Sequence, residues 1–280
     1  MKKIFVAGAG TMGLDIAHVF ARSGFKVVLR DISDEILQRA DAKLQKTLDK
    51  LIAKGKIDEA AKAGIIGNIT FTTVLSDAAD CDLVVEAILE NLELKKPMFQ
   101  ELDRICKAET IFASNTSAIS ITELASATNR SEQFVGMHFF NPATVMKLVE
   151  VIRGENTSDA TFESVYRLSQ DVGKEPVEIA ESPGFVVNRL LVPMINDAIF
   201  VYAEGVASVG DIDRAMQLGA NHPMGPLALG DFIGLDVCLA IMKTLHAETG
   251  DPKYRPAPLL RKMVRAKKLG KKTGEGFYQY

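Results

Sequence analysis

Residues 8–13, Gly8-Ala9-Gly10-Thr11-Met12-Gly13, form a G-x-G-x-x-G run directly after an apolar stretch at 4–7 and at the start of a helical pattern over 12–22. A strand, a glycine turn and a helix in that order are the context in which this run can hold a dinucleotide pyrophosphate. Gly8 makes the tight turn, Gly10 lets backbone N–H groups approach the phosphates, and Gly13 lets helix and strand pack closely. The helix N-terminus adds partial positive charge. Thr11 and Met12 complete the loop. An acid is expected at the end of the second strand, about twenty residues on, to take the ribose diol. Asp31 stands there, and its carboxylate repels a 2′-phosphate, so NAD is favoured over NADP. Arg30 beside it leaves NADP open. A glycine-rich turn with no ligand is the plain alternative.

A second set of polar residues could carry proton chemistry. His138 closes the apolar run 134–137, and in an open parallel sheet the strand ends that follow the chain direction line the ligand crevice. Ser114-Asn115-Thr116-Ser117 and the stretch from Glu86 to Glu90 end two other runs in the same half. Imidazole titrates near neutral pH, so it can take a hydroxyl proton in one direction and return it in the other. A carboxylate on the opposite ring nitrogen would fix the tautomer. Glu150, inside the apolar run 148–152, is costly there unless paired, which points to a His138–Glu150 pair. A satisfied strand-end histidine and a sheet-edge glutamate fit the same residues. Ser117 lies outside any G-x-S-x-G, so it reads as a hydrogen-bonding serine and not a hydrolase nucleophile.

The elements that must position these groups follow from the apolar pattern. Strand runs at 4–7, 26–29, 69–71, 82–87, 110–113, 134–139, 148–152 and 177–179 alternate with helical stretches, the signature of a parallel sheet covered on both faces. Ser33 can cap a long helix whose apolar positions recur through Leu51, with Gly55 at its end. After Ser182-Pro183-Gly184 the pattern turns helical: 185–204 with an internal Pro193, then 212–218, 226–248 and 258–269. The expectation is an α/β domain with a doubly wound, mostly parallel sheet over 1–183 and an all-α domain over 184–280, consistent with a 280-residue chain.

Composition narrows the partners. Apolar residues at 47% and charged residues at 25% are globular proportions, and a net charge of −3 gives no global basic field for nucleic acid. Three scattered cysteines suit a reducing, cytoplasmic-type compartment, and no His or Cys spacing fits a metal site. No apolar stretch reaches the roughly 18–20 residues needed to span a bilayer. The best, 190–203, is broken by Pro193, Asn196 and Asp197, and the Lys2-Lys3 start that imitates a signal peptide runs into glycines. His18, His222 and His246 carry no assigned role.

Together these blocks resemble the L-3-hydroxyacyl-CoA dehydrogenases, particularly their bacterial 3-hydroxybutyryl-CoA branch. The resemblance runs through essentially the whole chain: the glycine run, Ser114–Ser117, His138-Phe139-Phe140-Asn141-Pro142, Ser182 to Arg189, Pro223-Met224-Gly225-Pro226, and the tail from Gly270 to Tyr280. Only the segment Ala220-Asn221-His222 falls outside it. The resemblance implies an NAD-binding Rossmann domain followed by a helical dimerisation domain, in a cytoplasmic enzyme of fatty-acid or butyrate metabolism. It implies His138 as catalytic base, Glu150 as its orienting carboxylate, and Ser117 and Asn188 as holders of the reacting oxygens. Asn141 would help place substrate and nicotinamide, with Glu90, Lys95 and Asn115 around the cofactor. It also implies a helical hairpin, here about 33–64, that contacts coenzyme A. Lys50 and Lys54, one helical turn apart, could pair with its phosphates, though a solvated lysine face fits equally.

The reading is therefore a soluble NAD-dependent dehydrogenase of (S)-3-hydroxybutyryl-CoA and acetoacetyl-CoA, self-associating as a homodimer or higher homo-oligomer, with no nucleic acid or membrane partner. Its rivals are a same-fold dehydrogenase of a free hydroxy or sugar acid, a non-catalytic NAD-binding protein, and one module of a larger enzyme, the last disfavoured by the chain's own start methionine.

Overall fold

A computed structural model describes residues 1–280, which divide into two compact units, Met1–Glu181 and Ser182–Tyr280. The first unit runs β1 (Lys3–Ala7), α1 (Thr11–Arg22), β2 (Lys26–Arg30), α2 (Asp34–Ala53), α3 (Glu59–Ile66), β3 (Ile69–Thr72), β4 (Leu83–Glu86), α4 (Leu92–Ile105), β5 (Ile111–Ser114), α5 (Ile121–Ala125), β6 (Phe134–Phe139), β7 (Leu148–Arg153), α6 (Asp159–Asp171) and β8 (Glu175–Ala180). The strands form one sheet in the order β3-β2-β1-β4-β5-β6-β7-β8.

β1 lies between β2 and β4, so the chain reverses its direction of travel across the sheet beside the glycine run. Such a switch point leaves a crevice at the strand ends. The parallel register aligns Ala7, Glu86, Ser114 and Gly136 in one row, which puts His138 two residues beyond it at the same edge. The sheet departs from an all-parallel pattern at β7, which runs antiparallel to β6, while β8 is parallel to β7. The connection over 140–147 is too short for the crossover a parallel return requires. This reversal makes His138 and Glu150 direct cross-strand partners.

Local chemistry accounts for the elements around the crevice. In α2 the Ser33 side chain accepts from Ile36 N, and Leu37, Ala40, Leu44 and Leu48 are buried at three- and four-residue steps. In α1 the N-cap is Gly10, which offers no side-chain acceptor, so no N-cap side chain bonds its first N–H groups. Gly8 adopts φ +105°, and a Cβ there would lie 2.5 Å from Ala87 O. A Cβ on Gly13 would lie 1.8 Å from Gly8 O, a backbone atom with nowhere to go. Gly13→Ala is therefore expected to destabilise the protein by about 3 kcal/mol, measured by urea unfolding; a loss below about 0.5 kcal/mol would contradict this packing.

The second unit holds α7 (Val187–Ala203), α8 (Val209–Gly219), α9 (Pro226–Ile233), α10 (Leu235–Thr249) and α11 (Pro258–Arg265) around a core that includes Ile195, Ile199, Leu227, Cys238 and Met242. The expected helix over 226–248 is two helices, because Gly234 takes φ +104° and breaks the ladder between Ile233 and Leu235. The expected helix over 258–269 stops at Arg265, before Lys267 at φ +61°. The fully buried Asp231 accepts from Phe277 N and Tyr278 N at 3.0 and 2.9 Å, which pins the chain's last residues. All three cysteines are free and buried, and no helix is long and apolar enough to cross a membrane.

Candidate active site

The glycine loop and Asp31 form one unit. Asp31 Oδ2 accepts from Ala9 N at 2.6 Å and Oδ1 accepts from Ile32 N at 2.7 Å, so the acid at the end of β2 braces the loop. Gly8 N donates to Arg30 O at 2.7 Å. The Arg30 guanidinium donates through Nε to Thr73 O at 3.3 Å. The space where a Cβ of Gly10 would sit is open to 4 Å. Open space at the second glycine, an uncapped helix start and a carboxylate at the strand end are the features a dinucleotide requires.

At the ends of β4 and β5 a buried charge network sets the chain's course. Glu86 is 0% exposed and Lys95, from α4, is 1% exposed. Lys95 Nζ donates to both Glu86 oxygens at 2.8 and 2.9 Å and reaches Glu90 Oε2 at 2.9 Å. Ser114 Oγ donates to Glu86 at 2.5 Å. Burial pushes the Glu86 carboxyl up, with Lys95 opposing. For Glu90 burial also pushes up, but Lys95 and the Thr116 hydroxyl outweigh it and the net direction is down. Glu90 Oε1 accepts from Thr116 Oγ1 at 2.5 Å, Ser117 N at 2.8 Å and Ala118 N at 3.2 Å, which orders the turn bearing Ser117. Asn115 Oδ1 accepts from Phe139 N at 2.8 Å, tying the end of β5 to the end of β6.

That leaves the imidazole with a defined partner on each side. His138 Nδ1 lies 2.7 Å from Glu150 Oε2, and Nε2 lies 3.2 Å from Ser117 Oγ. His138 and Glu150 are 4% and 1% exposed. An ionised carboxylate only accepts, so Nδ1 carries the proton and Nε2 offers a lone pair. The Phe140 ring stacks at a tilt, 4.6 Å between centroids. Such a pair can remove a proton from a hydroxyl and stabilise the resulting imidazolium.

The structure thus brings together Ser117, His138 and Glu150, and gathers Glu90, Lys95 and Asn115 around the turn between them. Asn141 is exposed in the loop after β6. Asn188 lies in the first turn of α7, in the second unit. Lys50 is exposed in the last turn of α2 and Lys54 is its exposed C-cap. His18 is buried in α1, where burial pushes its pKa down to about 4. The sequence places Glu86 at the start of a polar stretch beside the crevice but assigns it no role. Its signal was the one used for Glu150: an acid ending an apolar run (Leu83-Val84-Val85-Glu86) that must find a partner.

A mostly parallel sheet with a switch-point glycine loop and an imidazole–carboxylate pair at the same edge defines a dinucleotide-dependent oxidoreductase of Rossmann type. The sequence profile of the 3-hydroxyacyl-CoA dehydrogenase NAD binding domain matches residues 3–182, and that of the C-terminal domain matches residues 184–280. The chain belongs to the 3-hydroxyacyl-CoA dehydrogenase family. It is 54% identical to 3-hydroxybutyryl-CoA dehydrogenase of Clostridioides difficile, covering 99% of each chain. It is 47% identical to human mitochondrial hydroxyacyl-coenzyme A dehydrogenase, covering 100% of this chain and 91% of that one. The crystal structure of (S)-3-hydroxybutyryl-CoA dehydrogenase from Ralstonia eutropha superposes with a TM-score of 0.97 at 51% identity, covering 100% of this chain and 99% of that one.

Proposed function

We propose that this protein is an NAD(H)-dependent dehydrogenase interconverting (S)-3-hydroxybutyryl-CoA and acetoacetyl-CoA. The observation that carries the reading is the relay Ser117–His138–Glu150 at the edge of the sheet that also bears the glycine loop. Family membership and the names of relatives at 51% and 54% identity support the substrate.

In oxidation His138 Nε2 takes the C3 hydroxyl proton, and in reduction the imidazolium returns it. The glycine loop and Asp31 would hold NAD, which when bound would accept the C3 hydride in oxidation and as NADH would supply it in reduction. Glu150 holds Nδ1–H and stabilises the charged ring. Ser117 hydrogen-bonds the reacting oxygen, and Asn188 and Asn141 help to orient the substrate. Lys95 acts through Glu90, which orders the turn bearing Ser117. Lys50 and Lys54 face the coenzyme A phosphates. Self-association belongs to the same reading and is supported by large apolar side chains exposed on the second unit, among them Leu190 at 71% and Leu218 at 74%. A cytoplasmic location fits three free cysteines.

Steady-state kinetics with acetoacetyl-CoA and free acetoacetate, each with NADH and NADPH, test the function. Turnover of the thioester with NADH is the expected result; turnover of the free acid at equal kcat/KM would favour the free-acid rival. Asp31→Ala should raise the KM for NADH about tenfold relative to that for NADPH, since it removes both a diol acceptor and the repulsion toward a 2′-phosphate. An unmoved ratio would remove Asp31 from the ribose site.

A further inference from the structure

The loop over 140–147 joins the two members of the relay, with His138 just before it and Glu150 just after it. Its apolar anchors are the half-buried Phe140 ring, packed against His138, and one small side chain. Ala143 is buried, but Val145 and Met146 are 71% and 43% exposed. Its backbone is held instead by three charged side chains from outside the loop. Asp15, two residues after Gly13 in α1, accepts from Ala143 N at 3.1 Å. Arg22, at the other end of α1, donates to Thr144 O at 3.2 Å. Lys174, in the turn between α6 and β8, donates to Ala143 O at 2.5 Å and to Met146 O at 2.7 Å. Lys174 is 5% exposed. A buried ammonium is costly unless its donors are used, and here two carbonyls one turn apart use them.

We propose that Lys174, with Asp15, is a positioning residue for the acid–base pair: the two clamp the loop over 140–147 and so set the approach of His138 to Glu150, while Asp15 ties that loop to the helix opened by the glycine run. Neither side chain touches the reacting atoms. The charged groups facing Lys174 are Asp15 and Arg22 from α1, with Lys43 of α2 acting on Asp15; Glu175, next in the chain, is occupied with Lys147 on the surface. Burial, reinforced by Arg22 and opposed by Asp15, pushes the Lys174 pKa down to about 8. The ammonium is therefore present at neutral pH and is lost as pH rises through the alkaline range, and the clamp loosens with it.

The kinetic test rests on the proposed function, so it is paired with a readout that needs no substrate. In Lys174→Met, kcat with acetoacetyl-CoA and NADH should fall at least tenfold, while the KM for the thioester and the Kd for NADH, from fluorescence titration, stay within about threefold. Lys174→Arg keeps a charged, multi-donor group and should recover most of kcat. Oxidation turnover of the unaltered protein should decline above about pH 8, and in Lys174→Arg that decline should move upward. By proton NMR, the downfield His138 Nδ1–H signal should shift or broaden in Lys174→Met and return in Lys174→Arg. Should Lys174→Met fail to fold, Asp15→Ala provides the same comparison from the other side of the clamp. An unchanged kcat and an unchanged imidazole signal in a folded Lys174→Met protein, or an arginine variant no better than methionine, would overturn the proposal. Absence of thioester turnover in the unaltered protein with the NMR response intact would instead overturn the substrate reading and leave the clamp standing.

Discussion

Replacing His138 by alanine is expected to lower turnover of acetoacetyl-CoA by two to four orders of magnitude, roughly the contribution of a positioned general acid–base group. The geometry explains why no neighbour can substitute. Ser117 Oγ lies 3.2 Å from Nε2, and a serine hydroxyl keeps its proton near neutral pH, so it cannot serve as the acid–base group. Glu150 sits on the far side of the ring, 1% exposed, and cannot reach past the space the ring leaves. Cofactor affinity should survive, because the glycine loop is braced by Asp31 and by the end of β2. Stopped NADH absorbance gives the rate and NADH fluorescence titration gives the affinity. A rate within fivefold of the unaltered protein would end the mechanism, while loss of NADH binding would mean that the ring serves chiefly to hold the fold.

Lys95→Met should cost about 3–5 kcal/mol of stability near neutral pH, the usual penalty for removing one partner of a buried ion pair. Glu86 would keep only Ser114 Oγ and Ile88 N as donors in a fully buried setting. The deficit should depend on pH in a defined direction. Burial already raises the Glu86 carboxyl above its ordinary value, and without Lys95 it rises further. A group raised in the folded state stabilises fully below its unfolded pKa, and that contribution is lost as pH rises through the folded one. Lys95→Met should therefore lose less stability at pH 5 than at pH 8. Chemical denaturation at the two pH values provides the check; a deficit that grows on acidification would show that Glu86 is not the group left unpaired. Catalysis should also suffer in the folded fraction, since Glu90 loses Lys95 and with it part of the order of the Ser117 turn.

Much of this was legible before any coordinates. The glycine loop is read from six consecutive residues because its function is local: a turn, an open backbone and a helix start need no distant partner. Ser33 as the cap of α2 is equally local, a side chain bonding a backbone N–H three residues on. Less legible was the break at Gly234, because the apolar pattern runs unbroken from Ile233 to Leu235 and only the positive φ interrupts the helix. The reversal of β7 was encoded in the short connection over 140–147, yet apolar runs carry no strand direction, so a mostly parallel sheet was legible and the strand that departs from it was not.

Residue types and short-range spacing by themselves determined the αβ alternation and the glycine loop with its acid, since these depend on chemistry within a turn or a strand, while the family followed from the resemblance along the whole chain. Only the folded chain decided where the buried ammonium groups go: Lys95 to Glu86 and Glu90, and Lys174 to the carbonyls of a loop 28 and 31 residues before it. The physical reason is that pairing of buried charge is settled by sheet register and by which side chains share one water-poor space, and both are properties of the whole sheet and not of any one segment.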